Sequence, residues 1–98
     1  MDTLQLVAEP RRQAILRHVW REELPVGELV ERLELSYAGV SQHLALLREA
    51  GFVTVRRDGK RRLYRADHER LGPLKNFLET FWGEQLDRLA TLAEEVER

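Results

Sequence analysis

Cysteine is absent from the 98-residue chain. Without it there can be no disulfide framework, thiolate metal site, thiol nucleophile or thiol-based redox sensor. Histidine is scarce, and His18, His43 and His68 lie far apart in the sequence. No serine nucleophile stands in a recognisable turn, no glycine-rich loop could cradle a phosphate, and no acid and base are paired within a supporting motif. Catalysis and a resident cofactor are therefore not expected. Long apolar runs are also missing, and the opening stretch MDTLQLVAEPRRQ lacks a basic, apolar leader pattern. A cytoplasmic protein with no membrane partner is the expectation. Finally, there is no excess of positive charge, since the formal net charge is −1. A nucleic-acid-binding domain is usually basic overall, so that class of function has to be supported locally.

The charge is divided by region. Arg56, Arg57, Lys60, Arg61, Arg62 and Arg65 stand against Asp58 alone, whereas from Glu84 to Arg98 five acids face two bases. A binding field depends on where charge lies, and not on its total. The chain is short enough for one domain and long enough for one modest core. We find no internal repeat or linker, so residues 1–98 are read as a single unit.

Proline, glycine and serine punctuate that unit. Leu4, Leu6 and Val7 form a short amphipathic piece ahead of Pro10, which suits a first helical turn. Ile15, Leu16, Val19 and Trp20 then recur at helical spacing. Pro25 is expected to begin another helix, with Val26, Leu29, Val30 and Leu33 inward and Ser36 capping the helix after it. In that next helix, approximately 36–50, Val40, Leu44 and Leu47 make an apolar stripe ended by Gly51. Two helices joined by so short a turn follow the helix-turn-helix plan, whose second helix enters the DNA major groove. Residues 52–65 read as two strands around Asp58-Gly59, with Arg57 opposite Lys60 and Arg56 opposite Arg61. From 67 to 97 the chain reads as helix, interrupted near its start by Gly72-Pro73.

Away from its apolar stripe, the second helix shows Tyr37, Ala38, Ser41, Gln42, Ala45 and Arg48. A solvated face would carry more Glu and Lys, whereas small residues and Ser or Gln let a helix approach base edges and both donate and accept. Gly39 costs about 1 kcal/mol relative to Ala in a helix. Two readings compensate for it: close approach to a phosphate backbone, or tight packing on the preceding helix. The hairpin cations likewise have two readings, as anion ligands between facing like charges or as guards of a sheet edge. Six cations are more than edge protection needs.

The segments EPRRQAIL, ELPVGELVERLELS and VSQHLALLREAGFVTVRRDGKRRLYR, followed by a long helix, resemble the ArsR-type (ArsR/SmtB) repressors over nearly the whole chain. The resemblance implies a mainly α fold with a small β-hairpin wing, a winged helix-turn-helix dimerised through its N- and C-terminal helices. It implies a homodimeric repressor or autorepressor of transcription on a palindromic double-stranded operator. By motif position, DNA contact falls on Ser36, Ser41, Gln42 and His43, beside Tyr37 on the same helix, and on Arg56, Arg57, Lys60, Arg61 and Arg62 of the wing. For His43 a phosphate contact is favoured over a local packing role. The resemblance places Leu4, Leu6 and Val7 in the dimer interface with Phe77, Phe81, Trp82, Leu86 and Leu89, whose apolar surface exceeds what one small core needs. Two rivals are an organic ligand bound near Phe77, Phe81 and Trp82, and a winged-helix module that binds protein instead of DNA.

The metal sensors of that family differ at the decisive positions. Where metalloid sensors carry Glu-Leu-Cys-Val-Cys, this chain has Glu23-Leu24-Pro25-Val26-Gly27. At the second family site, Asp67 and His68 are adjacent, Glu69 replaces the expected histidine, and no later histidine follows. No metal is therefore expected, because a zinc site needs three or four suitable ligands. Adding zinc or a chelator should leave both thermal unfolding and operator affinity unchanged. A stoichiometric, tightly held zinc that alters DNA binding would overturn this and direct attention to Asp67 and His68.

Overall fold

The computed structural model describes residues 2–83. Helix α1, Thr3–Ala8, starts at Asp2, whose carboxylate accepts the Gln5 amide at 2.9 Å. Helix α2, Pro10–His18, follows at once, with proline in its first turn and the Glu9 carboxylate accepting the Arg12 amide at 2.9 Å. Both starts use carboxylate caps for backbone donors that have no helical partner. A short strand β1, Leu24–Pro25, precedes helix α3, Val26–Leu33. Pro25 was expected to open that helix. It is instead the extended residue before it, paired with Leu63 across the sheet.

Helix α3 ends at Glu34, which adopts the left-handed conformation with φ of 54°. Helix α4, Tyr37–Glu49, begins after Ser36, and the compact turn between the two completes the helix-turn-helix expected from the sequence. Strands β2, Val53–Asp58, and β3, Arg61–Ala66, form the wing. The sheet order β1-β3-β2 is antiparallel throughout, so the wing is a three-stranded sheet and not the bare hairpin read from the sequence. Helix α5, His68–Leu71, ends at Gly72, whose φ is 55°, and helix α6 occupies the described residues 73–83. The break expected at Gly72-Pro73 is present. Leu86 and Leu89 lie outside the described residues.

The core forms where the helices cross the inner sheet face. Ile15, Leu16 and Val19 meet Leu29, the Val40/Leu44/Leu47 stripe, Phe52, Val53 and Leu78. The Ala66 amide donates to the Val19 carbonyl at the end of α2 at 2.9 Å, tying wing to helix, and the Asp67 amide donates to the Phe52 carbonyl at 2.8 Å, closing the base of the wing. Trp20 fastens helix α6 to the end of α2. Its indole N–H donates to Glu79 at 3.0 Å, and its ring meets Trp82 edge-on at 4.9 Å and His68 at 4.5 Å. His68 returns the link by placing Nε2 2.7 Å from the Trp20 carbonyl. This histidine both opens α5 and ties it inward.

Gly39 has a local explanation that neither sequence reading supplied. The Ser36 hydroxyl oxygen accepts the Gly39 amide at 3.0 Å, and a Cβ on Gly39 would lie only 3.0 Å from that oxygen. The glycine leaves room for the cap. Ser36→Ala should cost about 1 kcal/mol of stability. Gly39→Ala should be more favourable in the Ser36→Ala background than in wild type, because the crowded oxygen is gone while the gain in helix propensity remains. Urea unfolding of the four proteins measures this coupling, and strict additivity would reject the steric account.

Candidate nucleic-acid interface

Burial of Val40, Leu44 and Leu47 turns the opposite face of α4 outward. Tyr37 is 63% exposed, Ala38, Gln42, Ala45 and Arg48 are exposed, and Ser41 is half-buried. Between this helix and the wing runs an open groove of about 930 Å³. Tyr37, Ser41, Ala45, Arg48 and Glu49 line one wall, and Lys60, Arg61, Arg62 and Tyr64 the other. The groove also includes Pro25, Val26 and Gly27. Arg48 and Glu49 were not among the expected DNA contacts. Arg48 stands seven residues after Ser41 and so shares its helical face, a periodic signal the sequence did offer.

The wing register differs from that read in the sequence. Gly59 and Lys60 form the turn, Asp58 pairs with Arg61, and Arg57 pairs with Arg62. Gly59 has φ of 62°, while Asp58 and Lys60 avoid positive φ, as in a turn whose first central residue is glycine. The physical reason lies in the strand partners. This register sets Val55 against Tyr64 and Val53 against Ala66, whereas the expected one would set Val55 against Arg62. It also brings opposite charges together at the tip, with Arg61 and Asp58 3.5 Å apart.

The six wing cations are consequently not equivalent. Arg56 reaches across the outer face and donates to both Glu23 carboxylate oxygens, at 2.9 and 3.3 Å. Those hydrogen bonds, and then the carboxylate charge itself, raise its pKa. Leu63 is Arg56's strand partner and is buried, so the ion pair lies beside an apolar side chain on the outer face. Arg56 was expected among the DNA contacts; its guanidinium is committed to Glu23. By contrast, Arg57, Lys60 and Arg62 have no acidic partner among the described residues. Arg57 and Arg62 face each other beyond Val55 and Tyr64, two like charges directly opposite.

Two residues expected on the α4 surface have other partners. The Ser36 oxygen is occupied as a cap acceptor, leaving its hydroxyl hydrogen to donate. His43 is half-buried at the edge of the stripe, with Nδ1 3.3 Å from Nη1 of Arg12. The phosphate contact favoured for it thus meets a competing internal bond. His18 lies elsewhere, where burial, then Arg32 and Arg17, hold its pKa below the ordinary value. Among the described residues no group of histidine and acidic side chains is arranged to hold a metal.

The residues expected at the dimer interface also separate. Leu6, Val7 and Trp82 are buried in their own chain, Trp82 at 7% exposure against Trp20. They serve this chain's core because α1 and α6 close over it. Leu4 at 55% and Phe77 at 54% remain exposed, and Phe77 stacks on half-buried Phe81 with centroids 6.4 Å apart. Phe77 and Phe81 share one cavity, but Trp82 lines another with Arg17, His18 and Trp20. Within one chain, the described residues thus put the three aromatics in two cavities, whereas the rival reading placed its ligand between two copies.

Two helices joined by a compact turn and followed by a cationic antiparallel wing define a winged helix-turn-helix module. A helix-turn-helix domain family matches residues 7–56. The HTH-type transcriptional regulator Rv2034 of Mycobacterium tuberculosis is 39% identical, covering 90% of this chain and 82% of the relative. A solved structure described as a possible transcriptional regulator for arsenical resistance is 38% identical with a TM-score of 0.71, covering 93% of this chain and 95% of that one. The transcriptional repressor BigR from Xylella fastidiosa is 32% identical with a TM-score of 0.67, over 80% of each chain. The chain belongs to the ArsR/SmtB family of DNA-binding transcriptional regulators.

The unequal pairing of the cations can be measured. Arg57→Ala with Arg62→Ala should weaken binding to all duplexes alike and flatten the log-log salt dependence by up to about 0.9 for each phosphate that is no longer neutralised. Arg56→Ala should change that slope by less than half as much, because Glu23 already neutralises its charge, and a change of half or more would show that Glu23 releases Arg56 to the phosphates.

Proposed function

We propose that this protein represses transcription by binding a palindromic operator as a homodimer and occluding a promoter. The observation that carries the reading is the pairing of two surfaces across one groove. Helix α4 offers Ser41 and Ala45 to the groove, with exposed Gln42 on the same helix outside its lining, and the wing offers Arg62 and Lys60 without acidic partners among the described residues. Cations of the wing supply sequence-independent attraction to phosphates, while Gln42 can form a bidentate contact with adenine in the major groove. Tyr37 and Ser41 stand at the groove wall, where they can meet backbone or base edges. Exposed Leu4 and Phe77 support dimerisation through α1 and α6, since large apolar side chains gain by burial against a second copy. A dimer holds two α4 helices at fixed spacing, which is why a palindromic site follows from the assembly. That no described helix is long and apolar enough to cross a membrane accords with a cytoplasmic place of action.

Selection of bound sites from a random duplex pool tests the reading. Inverted half-sites with centres roughly 34 Å apart, or a multiple of that spacing, are the expected product. A single half-site would remove the dimer from the mechanism, and no enrichment at all would remove sequence-specific binding. With the operator in hand, Gln42→Ala should relax preference at one base pair by about 1–3 kcal/mol and leave random-duplex binding nearly intact. Equal losses on both duplexes would show that Gln42 reads no base.

A further inference from the structure

Arg12 is the one charged side chain found buried among the described residues, and it does not line the groove that α4 forms with the wing. Burying a guanidinium is costly unless its donors are used. Its Nε donates to the Leu6 carbonyl at 2.6 Å, near the end of α1, and its Nη1 lies 3.3 Å from His43 Nδ1 on α4. We infer that Arg12 is a positioning residue for DNA readout, fixing the rotation of α4 by holding His43 while it is itself anchored on α1.

The chemistry gives this bond a direction. A guanidinium has donors only and stays protonated, so His43 Nδ1 must accept and the neutral ring must carry its hydrogen on Nε2. Direction matters because the rest of α4 is held by an apolar stripe. Contacts of Val40, Leu44 and Leu47 with the core are strong but non-directional, and they tolerate small rotations about the helix axis. His43 sits at the margin of that stripe, immediately after Ser41 and Gln42. A polar bond at the margin resists such rotation, and a small rotation would carry Gln42 off a base edge. The same guanidinium therefore ties the aim of α4 to α1, the helix that carries exposed Leu4.

This inference rests on α4 being the DNA-reading helix, and its test separates the two. Affinity for operator and for random duplex is measured at several salt concentrations for His43→Leu, His43→Asn, His43→Gln and Arg12→Lys. An asparagine oxygen can take the place of Nδ1, whereas a glutamine amide better mimics Nε2. His43→Leu should lower the operator-to-random ratio about tenfold, the scale of a hydrogen bond to a charged group. Random binding and the salt slope should stay unchanged. Arg12→Lys should lose a similar ratio, and the double variant no more than either alone. His43→Asn should restore the ratio and His43→Gln should not. In wild type, 15N shifts of the His43 ring should show an unprotonated Nδ1.

Several results would overturn the inference. Rescue by glutamine with a slope reduced by about 0.9 would make His43 a phosphate ligand through Nε2. Equal losses on operator and random duplex would reduce Arg12 to a purely structural residue, and a protonated Nδ1 would deny the bond. If His43→Leu fails to fold, the asparagine–glutamine comparison and the ring tautomer decide alone. A wild-type protein that bound no duplex would overturn the DNA-reading role of α4, and this inference with it.

Discussion

Burial of Val40, Leu44 and Leu47 is the constraint on which the surface of this protein depends. Assigning its apolar stripe to the core sets which face of a helix is outward, to within small rotations about its axis, so Ser41, Gln42 and Ala45 point outward because their neighbours point in. The helix is too short for intrinsic propensity to stabilise it alone, and Gly39 lowers that propensity further. Packing against Ile15, Leu16 and Leu29 makes up the difference. Readout and stability are thus two faces of one helix. The interior residues place the exterior ones without touching DNA.

The wing obeys the same logic through a period of two. Val53 and Val55 meet Ala66 and Tyr64 on the inner face, and continuing that face outward leads to Arg57 and Arg62. Their repulsion is carried by the apolar pairs that precede them, and it is relieved when a phosphate lies nearby. On the outer face the alternation gives Arg56 to Glu23 and leaves Leu63 beneath. Cations that look alike in the sequence are thus separated by strand parity, Arg57 and Arg62 on the inner face and Arg56 on the outer one against Glu23. Charge counting finds the wing, but only the register tells its residues apart.

Much of the fold was legible because the signals were local. Ser36, Gly51 and the apolar stripe bounded α4, and Gly72 marked the break before α6. What escaped the sequence depended on partners remote along the chain. Strand β1 has only two residues and exists through its pairing with Leu63 and Tyr64. The turn slipped because the choice between Asp58-Gly59 and Gly59-Lys60 rests on which strand residues meet, not on the turn residues alone. The Arg56–Glu23 and Arg12–His43 bonds each span more than thirty residues. Leu6, Val7 and Trp82 were read as dimer-interface residues, the first two from the family resemblance, and their burial in this chain's own core was not legible because the closure by α1 and α6 is a tertiary fact. For the site, the groove walls were anticipated, while the roles of Ser36, His43 and Arg56 changed once their partners were known.

The near-zero net charge gains a physical sense from this arrangement. A uniformly basic domain is drawn to any nucleic acid, and its nonspecific binding grows with every phosphate it neutralises. Here Glu23 and Asp58 cancel part of the wing charge at its source, and acids elsewhere lower the long-range field. What remains is a small set of cations whose attraction falls off within a Debye length, about 8 Å at physiological salt. Such a field acts once the helix is already at the duplex. On the proposed reading, a larger share of the discrimination then falls to the direct contacts of α4, and the accuracy with which its buried side holds it becomes a determinant of specificity.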